Sequence, residues 1–203
     1  MRDIKTKWSD VTVGQYQELT SIQTDNEVSL FIERLSILTD RDPAEIRALS
    51  MREFQDFQKK LAFLSQDVSS EVVLKFELDG VRYGMIPDLN FITAGEWIDA
   101  ENWKSQPIEN LHLYAALIFR PIVKETEDNY YIEEHKSHGF LKRSELFKDK
   151  LSIEIVNGAV LFFSSFVIGL MPILADYLQT DMKNIAQMIM KMNQTQSLMK
   201  SQD

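Results

Sequence analysis

The chain of 203 residues contains no cysteine, which excludes disulfide bonds, thiolate metal ligands and thiol nucleophiles. The absence also fits a reducing compartment. The seven glycines never form the GxGxxG or GxxxxGKS/T patterns that cradle phosphate groups. No GxSxG segment is present either, so the nucleophile elbow of the α/β-hydrolases is missing. The sequence therefore offers no established catalytic motif, and we expect no catalytic residue and no cofactor.

Positive charge and histidine are also scarce. The chain has 22 Lys and Arg residues against 31 Asp and Glu residues, a formal charge of -9, and only three histidines. Because neutralising phosphates needs a basic surface, nucleic acid is not an expected partner. The densest group of metal-ligand residues is "EEHKSH", residues 133–138. Its histidines are three apart with the acids outside, unlike the HExxH zinc motif, so we predict a solvated polar loop and no metal site.

His112, in the helical pattern "IENLHLYAALIF", is the other candidate base. It lies between expected core positions, and no carboxylate partner can be assigned to it from the sequence. We predict a partly buried, hydrogen-bonded side chain. A small hydrolase or metal enzyme built around His112 or "EEHKSH" remains one alternative.

Only one long hydrophobic run is present, at residues 156–175, where twenty residues carry no charge. That length would span a hydrocarbon core of about 30 Å. Its small and polar residues recur at near-helical spacing, so we favour a helix buried at the centre of a helical domain. The alternative is a virion component whose apolar helix contacts membrane during genome delivery. The N-terminus lacks the apolar run of a secretory signal, and export by that route is not expected.

Helix-start signals dominate the first 66 residues. Thr12, Asn26, Asp42 and Ser50 are each followed by apolar residues at helical spacing, which predicts four short helices. Further on, Asp79-Gly80 separates two alternating runs and predicts a type I′ β-hairpin.

Helical patterns return after the hairpin. They predict helices at about 94–104 and from Pro107 to just before Arg120-Pro121. A long polar connection is expected at 124–150, with Tyr130 and Tyr131 anchoring it to the helical body. The fold class expected is mainly α, a helical domain with a duplicated helix-pair unit and one small β-hairpin.

Three regions are predicted along the chain: an N-terminal helical unit at 1–66, the hairpin with a second helical unit and the apolar helix at 67–180, and a polar tail at 181–203. The first two are expected to form one compact domain. The tail carries a methionine series that would suit adaptable contact with a partner protein. Its proposed interaction residues are Met182, Met188, Met190 and Met192.

A short helix opening occurs twice, as "DVTVGQYQEL" and as "NFITAGEWIDAENW". In each copy a threonine caps the helix, a glycine allows another backbone to approach, and an aromatic residue lies one turn in. The copies pair Thr12 with Thr93, Gly14 with Gly95, and Tyr16 with Trp97. This pattern predicts a helix pair used twice, which is architecture and not chemistry.

The second copy, with "FRP" and "NGAVLFFSSF" downstream, resembles small, mostly helical proteins from the structural-gene blocks of tailed bacteriophages. The matching residues are Thr93, Gly95, Glu96, Trp97, Asp99, Phe119, Arg120 and Pro121. The resemblance implies a non-enzymatic role in virion morphogenesis, similar to the tail assembly chaperones. It implies phage structural proteins as partners and a location in the virion or in the host cytoplasm during assembly. The long loop and the apolar helix depart from the smallest members, which leaves open whether the chain stays in the finished particle and whether it self-associates.

Overall fold

The computed structural model describes residues 4–89, 92–135 and 139–165. Contacts along the backbone divide the chain into two units, Met1–Phe162 and Phe163–Asp203. The architecture below is that of the first unit. The four methionines proposed as interaction residues, at 182, 188, 190 and 192, lie outside the described residues. The predicted region boundaries at 66 and 180 stay predictions.

The N-terminal part of the fold consists of short capped helices, as predicted. Their bounds are α1 Val13–Ser21, α2 Glu27–Thr39, α3 Pro43–Arg47 and α4 Met51–Lys60, followed by a 3-10 helix at Leu61–Ser65. In each of the four α-helices the side chain of the predicted N-cap accepts a hydrogen bond from a first-turn backbone amide. These caps satisfy amides that would otherwise have no partner at the helix start.

The second part of the chain contains α5 Ala94–Trp103, α6 Leu111–Ile118 and α7 Phe140–Lys150, and a further helix, α8, is described over 153–165. The prediction that 124–150 is only a polar connection was wrong, because α7 lies within it. This helix buries Arg143, Ser144 and Phe147 on one side. Two of those three residues are polar, so the buried face of α7 lacks the apolar spacing by which a helix is predicted from sequence.

A four-stranded antiparallel sheet replaces the single hairpin that was predicted. Its strands are β1 Lys75–Leu78, β2 Val81–Met85, β3 Phe119–Glu125 and β4 Tyr130–Ile132, in the order β1-β2-β3-β4. The expectation of a mainly helical chain holds only roughly, since the fold combines helices with this sheet. β3 begins directly where α6 ends, and it includes Pro121, which pairs with Tyr83 on β2. Proline in a central strand is unusual and hid β3 in the sequence.

The predicted turn between β1 and β2 is confirmed. Asp79 and Gly80 have φ values of 50° and 76°, the left-handed pair that a type I′ turn needs. Beside the turn, Phe76 stacks on Tyr83 with ring centroids 5.3 Å apart, and both rings contact Phe147 of α7. One face of the sheet therefore packs on α7 through aromatic side chains.

The core lies between this sheet, α6 and α7. In α6, Ala115, Ala116, Leu117 and Ile118 are fully buried. The N-terminus joins the same core, because Val13 donates its amide hydrogen to Leu151 and Ile153 donates its own to Val11. Gly14 brings α1 close to α7: a Cβ at that position would lie 2.9 Å from the carbonyl oxygen of Lys148.

Among the described residues, no helix is long and apolar enough to cross a membrane. The uncharged segment 156–175 is described only as far as residue 165, so the interpretation of its remainder stays a prediction.

Candidate functional site

A cleft of about 730 Å³ lies between the start of α5, the residues that follow β2 and the residues that follow β4. Its apolar walls include Ile86, Pro87, Ala94 and Ile132. Its polar lining includes Asp88, Thr93, Glu96, Arg120, Glu134 and His135. In this cleft, the first turn of α5, which is the helix start of the second repeat, contacts the buried guanidinium of Arg120.

The carboxylate of Glu96 links the start of α5 to β3. Its Oε2 accepts hydrogen bonds from the backbone amide of Thr93, at 2.6 Å, and from the Thr93 hydroxyl, at 2.8 Å. Together with the bond from Glu96 N to the Thr93 hydroxyl, these complete the capping box of α5. Its Oε1 accepts a 2.6 Å bond from Arg120 Nη2, and both side chains are over nine-tenths buried. The carboxylate therefore caps α5 and neutralises a buried guanidinium of β3.

Arg120 extends the network from β3 to the residues after β4. It lies opposite Gly84 of β2, and its Nη1 donates to the carbonyl oxygen of Glu133 at 3.1 Å. Burial lowers the pKa of Arg120, while the neighbouring carboxylate of Glu96 opposes that shift. The Arg120 Nε–H has no hydrogen-bond partner in the described part of the chain.

Arg143 of α7 holds the other side of the same network. Its Nη1 donates to Glu133 Oε2 at 3.0 Å, and its Nε and Nη2 donate to the carbonyl oxygen of Ala116 at 3.3 and 3.2 Å. The Ala116 carbonyl is in the last turn of α6, where a cation is favoured. Burial lowers the pKa of Arg143, and Glu133 opposes the shift. Two buried arginines thus tie α5, β3, α6 and α7 together.

His135 is buried, which corrects the prediction of a solvated polar loop at "EEHKSH". Its side chain is 8% exposed, and its Nε2 lies 2.7 Å from Asp99 Oδ2 of α5. Its ring also packs edge-on against Phe140. The Nδ1 atom has no hydrogen-bond partner among residues that the structure describes. No sequence signal marked this pair, because Asp99 and His135 are far apart in the chain.

The remaining members of "EEHKSH" do not assemble a ligand set in the described residues. Glu133 pairs with Arg143, Glu134 is exposed, and His138 lies outside the described ranges. Within those ranges no three His, Asp or Glu side chains are placed to hold a metal ion.

His112 lies away from the cleft and is half-buried, hydrogen-bonded as predicted. Its Nδ1 is 3.1 Å from Gln17 Nε2 of α1. Burial lowers the pKa of His112, and the positive charge of Lys148 acts in the same direction.

The first repeat has the same capping geometry without the buried ion pair. Gln15 bonds Thr12 in a capping box, and its Nε2 donates to the carbonyl oxygen of Ile37 at 3.0 Å. Tyr16 is half-buried and packs edge-on against Trp8, and its counterpart in the second repeat, Trp97, is half-buried as well. The continuations of the two copies differ: Pro43 follows its cap into α3, but Pro121 lies in β3. Superposition of the two helix pairs stays a prediction.

Tyr130 anchors β4 as predicted, through a 2.7 Å hydrogen bond from its hydroxyl to the carbonyl oxygen of Met85. Tyr131 does not, since it is 55% exposed.

Comparison of the chain with protein-family models, curated proteins and solved structures finds no match.

Proposed function

We propose that the protein is a non-enzymatic assembly protein of a tailed bacteriophage, similar to a tail assembly chaperone, and that it acts by binding phage structural proteins. The observation that carries the proposal is the structural use of the residues on which the resemblance rests. Thr93 and Glu96 form the cap of α5, and Glu96 holds Arg120 of β3. These residues hold helices and strands in place. A rigid fold that presents its surface to other proteins is what an assembly protein requires.

Exposed apolar side chains support contact with other proteins. Leu141 of α7 is 71% exposed, and Val123 of β3 is 66% exposed. On the edge strand β4, the side chain of Tyr131 is also exposed, so an open strand edge carries an exposed aromatic side chain. Such edges and patches are common in protein recognition.

Affinity capture from infected cells tests the proposal. We expect the tagged full chain to recover phage tail components. A variant with serine at positions 182, 188, 190 and 192 should recover less, if those methionines make the contact. Failure to recover any phage structural protein, with the chain also absent from purified particles, would refute the assembly role.

A second candidate, a small hydrolase, is favoured by the hydrogen bond between His135 and Asp99 at the cleft. A carboxylate that orients a histidine is the arrangement used in general-base catalysis. Under this candidate the chain hydrolyses a simple activated ester, His135→Gln abolishes the activity, and His112→Gln keeps it. Equal background rates for all three proteins would exclude this use of the pair.

A further inference from the structure

Two buried polar atoms at the cleft have no hydrogen-bond partner in the described ranges, Arg120 Nε and His135 Nδ1. The two residues are only 6% and 8% exposed, and both line the cleft. A buried polar group without a partner costs free energy, and native structures contain few of them. A partner that supplies the missing bonds would recover that free energy.

The hydrogen-bonding character of the two atoms is opposite when the His135 ring is neutral. Arginine Nε–H can only donate. The carboxylate of Asp99 can only accept, so the proton of a neutral His135 ring lies on Nε2, and Nδ1 is an acceptor. The backbone of an extended polypeptide carries carbonyl acceptors and amide donors along its length, so it supplies a partner for each atom. A carboxylate or an ammonium group satisfies one of them.

The walls and rim add two further requirements. Ile86, Pro87 and Ile132 give the cleft apolar walls. The Glu96 carboxylate inside the cleft pairs with Arg120, and the side chains of Asp88 and Glu134, which line the cleft as well, are exposed. A negative rim attracts a basic side chain and disfavours an acidic one.

We propose that this cleft binds an extended polypeptide segment of a partner protein, whose backbone accepts from Arg120 Nε and donates to His135 Nδ1, with a lysine or arginine at the rim. An apolar side chain of the same segment lies against the walls. The inference rests on the proposed function, since it assigns a docking place to the partner. The proposed segment is basic, and binding of an acidic segment instead would contradict the proposal.

The test is an NMR titration of the ¹⁵N-labelled full chain with two capped pentapeptides, one alternating lysine and leucine and the other alternating glutamate and leucine. We expect the lysine peptide to shift the amide signals of Ala94, Gly95 and His135 in a saturable way. The glutamate peptide should leave them unchanged up to about 10 mM.

Matched variants separate the cleft from the overall charge of -9. Asp88→Asn with Glu134→Gln should weaken binding of the lysine peptide about fivefold, because both exposed carboxylates line the cleft. Asp56→Asn with Glu77→Gln removes two exposed charges that do not line the cleft and should leave the affinity unchanged.

Three results would overturn the proposal: no saturable shift with the lysine peptide, equal or tighter binding of the glutamate peptide, or equal loss in both double variants. If the titration fails while capture from infected cells succeeds, the partner docks elsewhere and the assembly role stands. If the titration succeeds while capture recovers no phage protein, the cleft binds basic peptide in another role.

Discussion

At the scale of single residues, the two repeats show why one helix start needs a charge and the other does not. Gln15 and Glu96 occupy the same capping position. The amide of Gln15 reaches a backbone carbonyl of α2, for which a neutral donor is sufficient. Glu96 instead meets the buried guanidinium of Arg120, and a buried cation requires an anion or a proton loss.

We therefore expect Glu96→Gln to destabilise the protein by about 3 kcal/mol. The glutamine side chain still closes the capping box of α5, but it leaves the buried charge of Arg120 uncompensated. Urea unfolding followed by circular dichroism measures the loss. The double variant Glu96→Gln with Arg120→Met should lose clearly less than the sum of the two single variants. Additive losses would show that the pair contributes no coupling.

His112 provides a pH dependence. Burial lowers its pKa in the folded chain, so the unfolded chain binds a proton first as pH falls below its ordinary value of about 6.5. The stability from the neutral ring is present above that value and is lost as pH falls from it toward the lower folded pKa. Unfolding midpoints between about pH 7 and 5 should fall less steeply in His112→Gln than in the wild type. Parallel curves would contradict this account.

At the scale of helices and strands, local chemistry was predictable and long-range pairing was not. The caps at Thr12 and Ser50 and the Asp79-Gly80 turn depend on neighbouring residues, so the sequence alone predicts them. β3 was not predicted because Pro121 indicated a break in secondary structure. α7 was not predicted because its buried face includes the polar residue Arg143. The cleft shows the same division, since Thr93 and Glu96 belong to a local motif, whereas the bond from Asp99 to His135 depends on the tertiary fold.

At Gly158, α8 approaches the backbone of residues 70–71 closely. A Cβ there would collide with the backbone carbonyl of Glu71, and a neighbouring contact joins Asn157 to the carbonyl oxygens of Val68 and Ser69. We expect Gly158→Ser to lower the free energy of unfolding by about 2 kcal/mol. The backbone must move to make room for the new Cβ, and that costs more free energy than the better helix propensity of serine returns.

The matched control is Gly139→Ser, which places a Cβ in open space at the N-cap of α7, where serine is favoured. Thermal unfolding should show little change for this variant. Similar midpoints for both variants would mean that 70–71 and α8 do not need the close approach.

At the scale of the whole molecule, charge and anchoring both bear on the membrane alternative. The formal charge of -9 is repelled by anionic lipid. The beginning of the apolar segment is also held in the protein core, where Val156 and Ala159 are fully buried. Asn157 and Gly158 fix the same turn of α8 to 68–71. Moving this end of the segment into a bilayer would break those contacts.

We therefore expect the full chain to remain unbound in flotation with either anionic or zwitterionic vesicles. The variant Asn157→Leu with Gly158→Leu removes the anchoring bonds, makes the segment more apolar and leaves the charge unchanged. If the core contacts are what withhold the segment from lipid, this variant should float measurably more than the wild type. Flotation of the wild type itself would favour the membrane-contacting role over the proposed assembly role, because the core contacts would then be too weak to retain the segment.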